Sequence, residues 1–172
     1  MLNLYLLRHA KSSRGGVFTA DFERPLSAHG RRDAQALARH MAARRLRPDL
    51  ILCSPSKRTR ETLAPLAAGI AKDARALFED SLYGGAAAAY LALIQQRGEG
   101  AGAVLLIGHN PAIAALALLL IGGGDNEARA AMAAKFPTCA LAHITFELAD
   151  WSSVATGAGD LSAFIRPRDL ER

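Results

Sequence analysis

Cysteine is scarce in this chain. Of its 172 residues only Cys53 and Cys139 are cysteines, and both lie in apolar runs. Two cysteines so placed exclude the disulfide framework of a small secreted protein and are typical of buried thiols in a reducing compartment. Hydrophobic residues make up 51% of the chain, which is enough for a core without disulfide bonds. Because the first residues show no basic segment followed by a small-residue cleavage site, we expect no secretory signal and a cytoplasmic protein.

Aromatic residues are also few, at 6% of the chain. They are not interleaved with a basic run, as a platform for stacking nucleic-acid bases would need, so we expect no nucleic-acid partner. The formal net charge is nevertheless +5 and the pI is about 9.7. An excess of positive charge is compatible with a phosphorylated substrate or an acidic protein surface.

A membrane-spanning segment is likewise not expected. One stretch, residues 103–122, is long enough to cross a bilayer. Its middle, however, holds Gly108, His109, Asn110 and Pro111, and the apolar pieces on either side are too short to span alone. The stretch therefore predicts a buried strand, a polar turn and a buried helix.

The chain does contain a regular alternation of short apolar strands and helices. Strands are predicted at residues 2–7, 49–54, 74–79, 103–108 and 139–148. Helices are predicted at residues 27–46, from Ser56 onward, at 86–97, at 111–121 and near 126–135. The tail, with "WSSV" and "LSAFI" around "GAG", predicts a terminal hairpin. This alternation predicts one α/β domain over residues 1–172, a three-layer sandwich with a mostly parallel central sheet, helices on both faces and an antiparallel edge strand.

Cations, imidazoles and hydroxyls, rather than clustered carboxylates, come directly after three of the predicted strands. They are Arg8, His9, Lys11, Ser12 and Ser13 after the first strand, Lys57, Arg58 and Arg60 after the second, and His109 after the fourth. Because ligands of such sheets bind beyond the carboxyl ends of the strands, we expect these side chains around one ligand. A guanidinium group can bind two phosphoryl oxygens at once, and its charge offsets the negative charge that repels a nucleophile. These side chains together therefore predict a phosphoryl site.

Four segments together resemble the histidine phosphatase superfamily, which has the phosphoglycerate-mutase-like fold. They are "LYLLRHAKS", "ERPLSAHGRRDAQALARHM", "DLILCSPSKRTRETLAPLA" and "VLLIGHNPAI", in the order expected for the family. The resemblance covers roughly residues 3–165. The short length and the "RPLS" and "LYGG" segments make the chain most similar to SixA-type phosphohistidine phosphatases, which lack a large cap insertion. The chain departs from the common pattern at Ala10, where many members have glycine.

The resemblance implies a metal-independent phosphatase that uses no cofactor and forms a covalent phosphohistidine. His9 would be the nucleophile, kept neutral and held by a hydrogen bond from its other ring nitrogen to a backbone carbonyl. Arg8 and Arg58 would bind the phosphoryl oxygens, and His109 would contact the same oxygens as charge shifts in the transition state. Ser12 is a further candidate for a phosphate contact.

The substrate contacts and the general acid are less determined. Arg24 would help to bind the phosphoryl group or the substrate, or would pair with Asp21 or Glu23 in a loop. In mutase-like members a glutamate four residues before a glycine protonates the leaving oxygen. Asp80 has that spacing here and Glu79 precedes it, so both are candidate general acids, with a solvated loop carboxylate as the alternative.

Other phosphatase chemistries fit the spacing less well. A cysteine phosphatase needs five residues between cysteine and arginine, whereas four separate Cys53 from Arg58 and six separate it from Arg60. A metallophosphatase needs ligand spacing and carboxylates that these strand ends do not show. We therefore predict a phosphatase that acts on phosphohistidine of a protein, because imidazole leaves with little help from an acid. A small phosphate ester as substrate, and a catalytically weak phosphate-binding module, are the alternatives.

Overall fold

The computed structural model describes residues 1–14, 16 and 20–170, and in these residues seven strands form one mixed sheet. The strands are β1 (Leu2–Arg8), β2 (Leu50–Cys53), β3 (Arg75–Phe78), β4 (Ala103–Gly108), β5 (Ile121–Gly124), β6 (Leu141–Phe146) and β7 (Gly159–Ile165). Their order across the sheet is β3-β2-β4-β1-β6-β7-β5. Every pair is parallel except the two pairs that β6 makes, with β1 and with β7.

Helices cover both faces of this sheet, as the sequence predicts. They are α1 (Ala28–Ala43), α2 (Lys57–Gly69), α3 (Ser81–Gly84), α4 (Ala87–Arg97), α5 (Ala112–Leu120) and α6 (Asn126–Ala134). The alternation of side chains along β1 divides the core in two. Leu4 and Leu6 pack with α3–α6 on one face, and Tyr5 and Leu7 pack with α1 and α2 on the other. The predicted three-layer α/β sandwich with a mostly parallel sheet is thus confirmed.

The start of α1 is fixed against the segment that comes after β1. The Ser27 hydroxyl accepts a hydrogen bond from the Gly30 N–H at 3.0 Å and so caps the helix. The Ser27 N–H in turn donates to the Lys11 carbonyl at 2.9 Å. A Cβ on Gly30 would lie 2.1 Å from the same carbonyl oxygen, so glycine is the residue that allows this close approach. The packing holds the backbone just after His9.

The far side of the sheet differs from the prediction in two details. The sequence predicts that the terminal hairpin adds an antiparallel strand at the edge, whereas the antiparallel strand is β6, inside the sheet, and the strand at that edge is β5, which is parallel to β7. The glycines of β5 carry no hydrophobic pattern that would predict a strand. The segment "WSSV" forms no hairpin with "LSAFI", because Trp151 is buried in a 3₁₀ turn and donates its indole N–H to the Ala101 carbonyl at 2.6 Å. Strand β7 pairs with β6 instead.

No helix in the described ranges combines the length and the apolarity that crossing a bilayer requires. Residues 103–122 instead form β4, a polar turn and α5, followed by the start of β5.

Candidate active site

The carboxyl ends of the adjacent strands β1, β4 and β2 bring three of the predicted site residues together. Arg8 is paired with Gly108 in the β1–β4 register, so His9 and His109 leave the sheet at the same level. The two imidazole rings lie 5.1 Å apart between centroids. Arg58, in the first turn of α2, places its Nη2 atom 3.4 Å from His109 Nδ1. Parallel pairing therefore collects two imidazoles and a guanidinium group at one point.

The hydrogen bond of His9 fixes its tautomer. Its Nδ1 atom lies 2.8 Å from the Ala10 carbonyl oxygen, and because a carbonyl only accepts, Nδ1 carries the proton and Nε2 has the free lone pair. Burial lowers the pKa of His9 to about 3, with smaller effects in the same direction from His109, Arg58 and Arg8, while the bond to Ala10 opposes them. His9 is therefore a neutral imidazole at neutral pH, with Nε2 as a nucleophilic atom.

The alanine at position 10 is accommodated without backbone strain. Among the described residues the non-glycine residues with positive φ are Arg45 and Cys139, so Ala10 does not need glycine's freedom. The Ala10 N–H donates to Thr62 Oγ1 at 3.0 Å, and the Thr62 hydroxyl donates to the Arg58 carbonyl at 2.7 Å. These bonds tie the nucleophile's turn to α2.

The distal end of the Arg58 guanidinium is held by Asp21. Nη1 donates to the Asp21 backbone carbonyl at 2.7 Å, and Nη2 donates to Asp21 Oδ2 at 3.1 Å. The Nε atom of Arg58 has no hydrogen-bond partner within the described ranges. Asp21 thus fixes the plane of the guanidinium, and Nε is the donor that the described residues leave for a ligand.

Arg8 has an unsatisfied donor in the protein interior. Its Nη1 atom donates to the Phe136 carbonyl at 2.9 Å, whereas its Nε atom is buried and finds no acceptor in the part of the chain that the structure describes. Burial also lowers the pKa of Arg8. A buried donor without a partner is costly, and the oxygen of a phosphoryl group is an acceptor that would satisfy it.

His109 is a second neutral imidazole. Its Nε2 atom lies 2.8 Å from the hydroxyl of Ser54, which is fully buried, and its backbone N–H donates to the Tyr90 hydroxyl at 3.2 Å. Burial lowers the pKa of His109 to about 4, with a further decrease from Arg58 that Asp21 opposes. Because a hydroxyl can donate or accept, Ser54 supports either tautomer of the ring.

The mouth of the site holds a carboxylate and two aromatic rings whose roles the sequence does not reveal. Tyr83 of α3 donates its hydroxyl to Asp21 Oδ2 at 2.8 Å, and Arg24 Nη1 donates to Asp21 Oδ1 at 2.9 Å. The bond from Tyr83, followed by those from Arg24 and Arg58, lowers the pKa of Asp21 to about 2. The Tyr83 ring makes edge contacts with Phe22 and with the imidazole of the second histidine. The only sequence signal for this set was Asp21 as a loop partner for Arg24.

Ser12 and Arg24 are part of the rim rather than of the histidine–arginine cluster. Arg24 Nη2 donates to Ser12 Oγ at 2.8 Å, and its Nε donates to the Ser13 carbonyl at 3.2 Å. Arg24 also pairs with Asp21, which was the alternative that the sequence left open. No hydrogen bond joins Ser12 or Arg24 to His9 among the described residues.

The two candidate general acids make no hydrogen bond or ion pair with the imidazoles among the described residues. Glu79 Oε1 pairs with Arg97 Nε at 3.2 Å. Asp80 is exposed at the start of α3, and its side chain makes no hydrogen bond or ion pair within the part of the chain described. Asp21 is instead the carboxylate that the fold brings to the cluster, and it is ionised at neutral pH.

Cys53 is an unreactive thiol in this setting. It is fully buried, its Sγ donates to the Ser54 carbonyl at 3.3 Å, and burial raises its pKa to about 12. A thiolate nucleophile needs a lowered pKa, so the geometry gives no support to a cysteine phosphatase. The described residues also contain no group of three or more histidine, cysteine or carboxylate side chains that could hold a metal ion.

Comparison with known proteins adds an independent line of observation. A sequence profile of the histidine phosphatase superfamily (branch 1) matches residues 4–84. The chain is 35% identical over 165 residues to an uncharacterized protein of Mycobacterium tuberculosis, covering 94% of this chain and all of that one. A candidate phosphohistidine phosphatase SixA from Agrobacterium tumefaciens is 31% identical, with a TM-score of 0.82 over 96% of this chain and 98% of that chain. A SixA candidate from Nakamurella is 28% identical, with a TM-score of 0.84 over 96% of each chain.

Proposed function

Because this chain belongs to the histidine phosphatase superfamily, we propose that it removes the phosphoryl group from phosphohistidine on a protein, through a covalent phosphohistidine on His9. The observation that carries the proposal is the pair of neutral imidazoles beside two guanidinium groups, in a site whose carboxylate is ionised. Similarity to SixA candidates supports this substrate class. The presence of β1 and β7 in one sheet supports treating residues 1–172 as a single domain.

In the first step the Nε2 lone pair of His9 attacks phosphorus. The bond between phosphorus and the substrate nitrogen breaks, and its electron pair goes to that nitrogen. His9 keeps the Nδ1 proton that the Ala10 carbonyl holds. When the substrate ring carries a proton on its far nitrogen, it leaves as neutral imidazole, and no proton has to be transferred. One imidazole replaces another on phosphorus, so reactants and products are close in free energy.

In the second step water attacks the phosphorus of phosphorylated His9. The phosphorus–nitrogen bond breaks, its electron pair returns to Nε2, and the water oxygen stays on phosphorus with both protons. The dihydrogen phosphate so formed releases one proton to solvent. In both steps the Nε donors of Arg8 and Arg58 and an N–H of His109 would bind the phosphoryl oxygens and stabilise the charge that moves onto them.

The identity of the leaving group decides between phosphohistidine and an ordinary phosphate ester. An alkoxide is a much stronger base than imidazole and has to be protonated as it leaves. Asp21, with a pKa of about 2, holds no proton at neutral pH. Glu79 and Asp80 make no hydrogen bond or ion pair with the imidazoles in the part of the chain described. A substrate that brings its own proton on the leaving ring therefore suits this site better than an ester.

The test is a comparison of substrates with purified protein and EDTA present. We expect hydrolysis of a protein phosphorylated on histidine, and kcat/KM values at least about a hundredfold lower for phosphate esters of alcohols, which is the usual contribution of a general acid. Faster turnover of alcohol phosphate esters than of phosphohistidine would contradict the proposal.

The covalent step has its own measurement. Acid-labile, base-stable phosphate should become bound to the wild-type chain during turnover and be absent from the His9→Ala variant, because only an imidazole nitrogen forms such a bond here. His143→Gln is the matched control, since His143 lies on β6 and bonds to Asn3 instead of the site. Equal labelling of wild type and His9→Ala would show that the nucleophile is another residue.

A further inference from the structure

We propose that the rings of Phe22 and Tyr83 and the carboxylate of Asp21 form a subsite that binds the leaving imidazole ring of the substrate. The inference rests on the proposed function. It adds how the site recognises the imidazole ring that is bonded to phosphorus through nitrogen. The residues come from two separate segments, the 3₁₀ turn Asp21–Glu23 and the short helix α3.

The aromatic part of the subsite borders the reacting imidazoles. The Tyr83 ring lies edge-on to His109, with centroids 5.7 Å apart and an angle of 82°. It also meets the Phe22 ring edge-on, with centroids 5.0 Å apart and an angle of 80°. Tyr83 is also 36% exposed, which makes it one of five large hydrophobic side chains that are exposed among the described residues. An exposed ring in contact with the second imidazole offers its remaining surface to another planar group at the phosphoryl site.

The carboxylate of Asp21 has capacity for one more donor. Oδ2 already accepts from Arg58 and Tyr83, whereas Oδ1 accepts only from Arg24 among the described residues. A carboxylate oxygen accepts about two hydrogen bonds, so Oδ1 retains one lone pair. The side chain is 53% exposed, and a ligand can therefore reach it.

These features match the charge of the leaving ring in the reactive form of the substrate. A phosphorylated imidazole that is protonated on its far nitrogen is a cation with one N–H donor. Aromatic faces attract such a cation, and a carboxylate accepts a hydrogen bond from its N–H. The carboxylate also offsets the repulsion that Arg8, Arg24 and Arg58 would exert on a cationic ring. The subsite therefore selects the protonated ring, which is the form that leaves without further proton transfer.

Three small substrates separate the parts of this claim. Phosphoimidazole has a phosphorus–nitrogen bond and a ring, phosphoramidate has the bond and a cationic nitrogen but no ring, and acetyl phosphate has neither. We expect Tyr83→Leu to lower kcat/KM for phosphoimidazole about tenfold more than it lowers kcat/KM for phosphoramidate or acetyl phosphate. Tyr83→Phe, which keeps the ring and loses only the hydroxyl, should retain the preference for phosphoimidazole.

The carboxylate is tested with Asp21→Asn, whose amide oxygen can still accept from Arg58. Because Asp21 also orients Arg58, we expect kcat/KM to fall for all three substrates, by about fivefold more for the two nitrogen-linked substrates than for acetyl phosphate, since only the former carry positive charge. Glu23→Gln is the matched control, since Glu23 is an exposed carboxylate in the same turn, and Phe78→Leu controls for loss of an exposed aromatic ring outside the site.

The two proposals fail in different ways. If the wild-type protein cleaves neither phosphoimidazole nor phosphoramidate, the proposed function is wrong. The wild-type protein could instead cleave both, while Tyr83→Leu and Asp21→Asn each lower kcat/KM for all three substrates by the same factor. In that case the proposed subsite is wrong, and these residues act only by positioning Arg58 and His109.

Discussion

The buried imidazole of His9 should make the protein less stable in mild acid, by an amount that the structure allows us to work out. Burial lowers its pKa from the ordinary value of 6.5 to about 3. At pH 7.5 the ring is neutral in both the folded and the unfolded chain, so it adds no pH dependence there. Below about pH 6.5 the unfolded chain binds a proton that the folded protein does not bind until about pH 3. The free energy of unfolding therefore falls as the pH decreases through this window.

The magnitude depends on the width of the window. Each pH unit within it removes about 1.4 kcal/mol for each such imidazole, so between pH 6.5 and pH 5 His9 removes about 2 kcal/mol. His109, with a pKa of about 4, should remove a similar amount over the same range. Together the two rings should reduce the free energy of unfolding by about 4 kcal/mol, a large part of a typical total.

Urea unfolding at pH 7.5 and pH 5.0, in buffer without phosphate, measures this effect. The variant His9→Asn keeps a donor for the Ala10 carbonyl but does not titrate, so its stability should fall by about 2 kcal/mol less than that of the wild type. His109→Gln, whose amide can donate to or accept from Ser54 and does not titrate, should likewise lose about 2 kcal/mol less than the wild type. If wild type and both variants lose equal stability between the two pH values, the reasoning that the imidazoles are held neutral by burial is refuted.

Three further changes have defined outcomes. Arg8→Lys should lower kcat by about a hundredfold in a phosphohistidine assay, because a point charge cannot replace the Nε donor of a planar guanidinium group; near-normal turnover would argue against that contact. Asp80→Asn should leave kcat/KM for phosphohistidine within about twofold of wild type, since the side chain is exposed and unbonded; a large loss would restore Asp80 as the acid. Gly30→Ala should destabilise the protein by about 2 kcal/mol in urea unfolding, because its Cβ would meet the Lys11 carbonyl; unchanged stability would mean that α1 shifts freely.

The pattern of the sequence was enough to predict the parallel half of the sheet and the histidine–arginine cluster. Strands β1, β2 and β4 are near-continuous apolar runs, as is typical of strands covered on both faces, and polar residues begin where each run ends. Parallel strands in register deliver those ends to one edge. His9 and His109 therefore had to be neighbours once β1 and β4 were neighbours.

The order of the strands in the other half of the sheet could not be predicted from the local hydrophobic pattern. Strand β6 lies inside the sheet because β7 pairs with its outer side and β5 pairs with β7. The strand at the edge, Ile121–Gly124, is mostly glycine and has no period to detect. Trp151 lies in a segment that resembles a strand, yet its indole ring fills a place in the core that only the assembled fold creates.

By itself the sequence determined the fold class and the chemical groups that face the phosphoryl site, because both depend on short-range hydrophobic pattern and on the residue types at the carboxyl end of each strand. Tertiary structure alone decided the tautomer of His9, the orientation of Arg58 by Asp21, and the meeting of Tyr83 with Asp21 across 62 positions of the chain. A hydrogen bond made by a side chain leaves no periodic pattern in the sequence. Its partners are selected by distances that exist only after the core has formed.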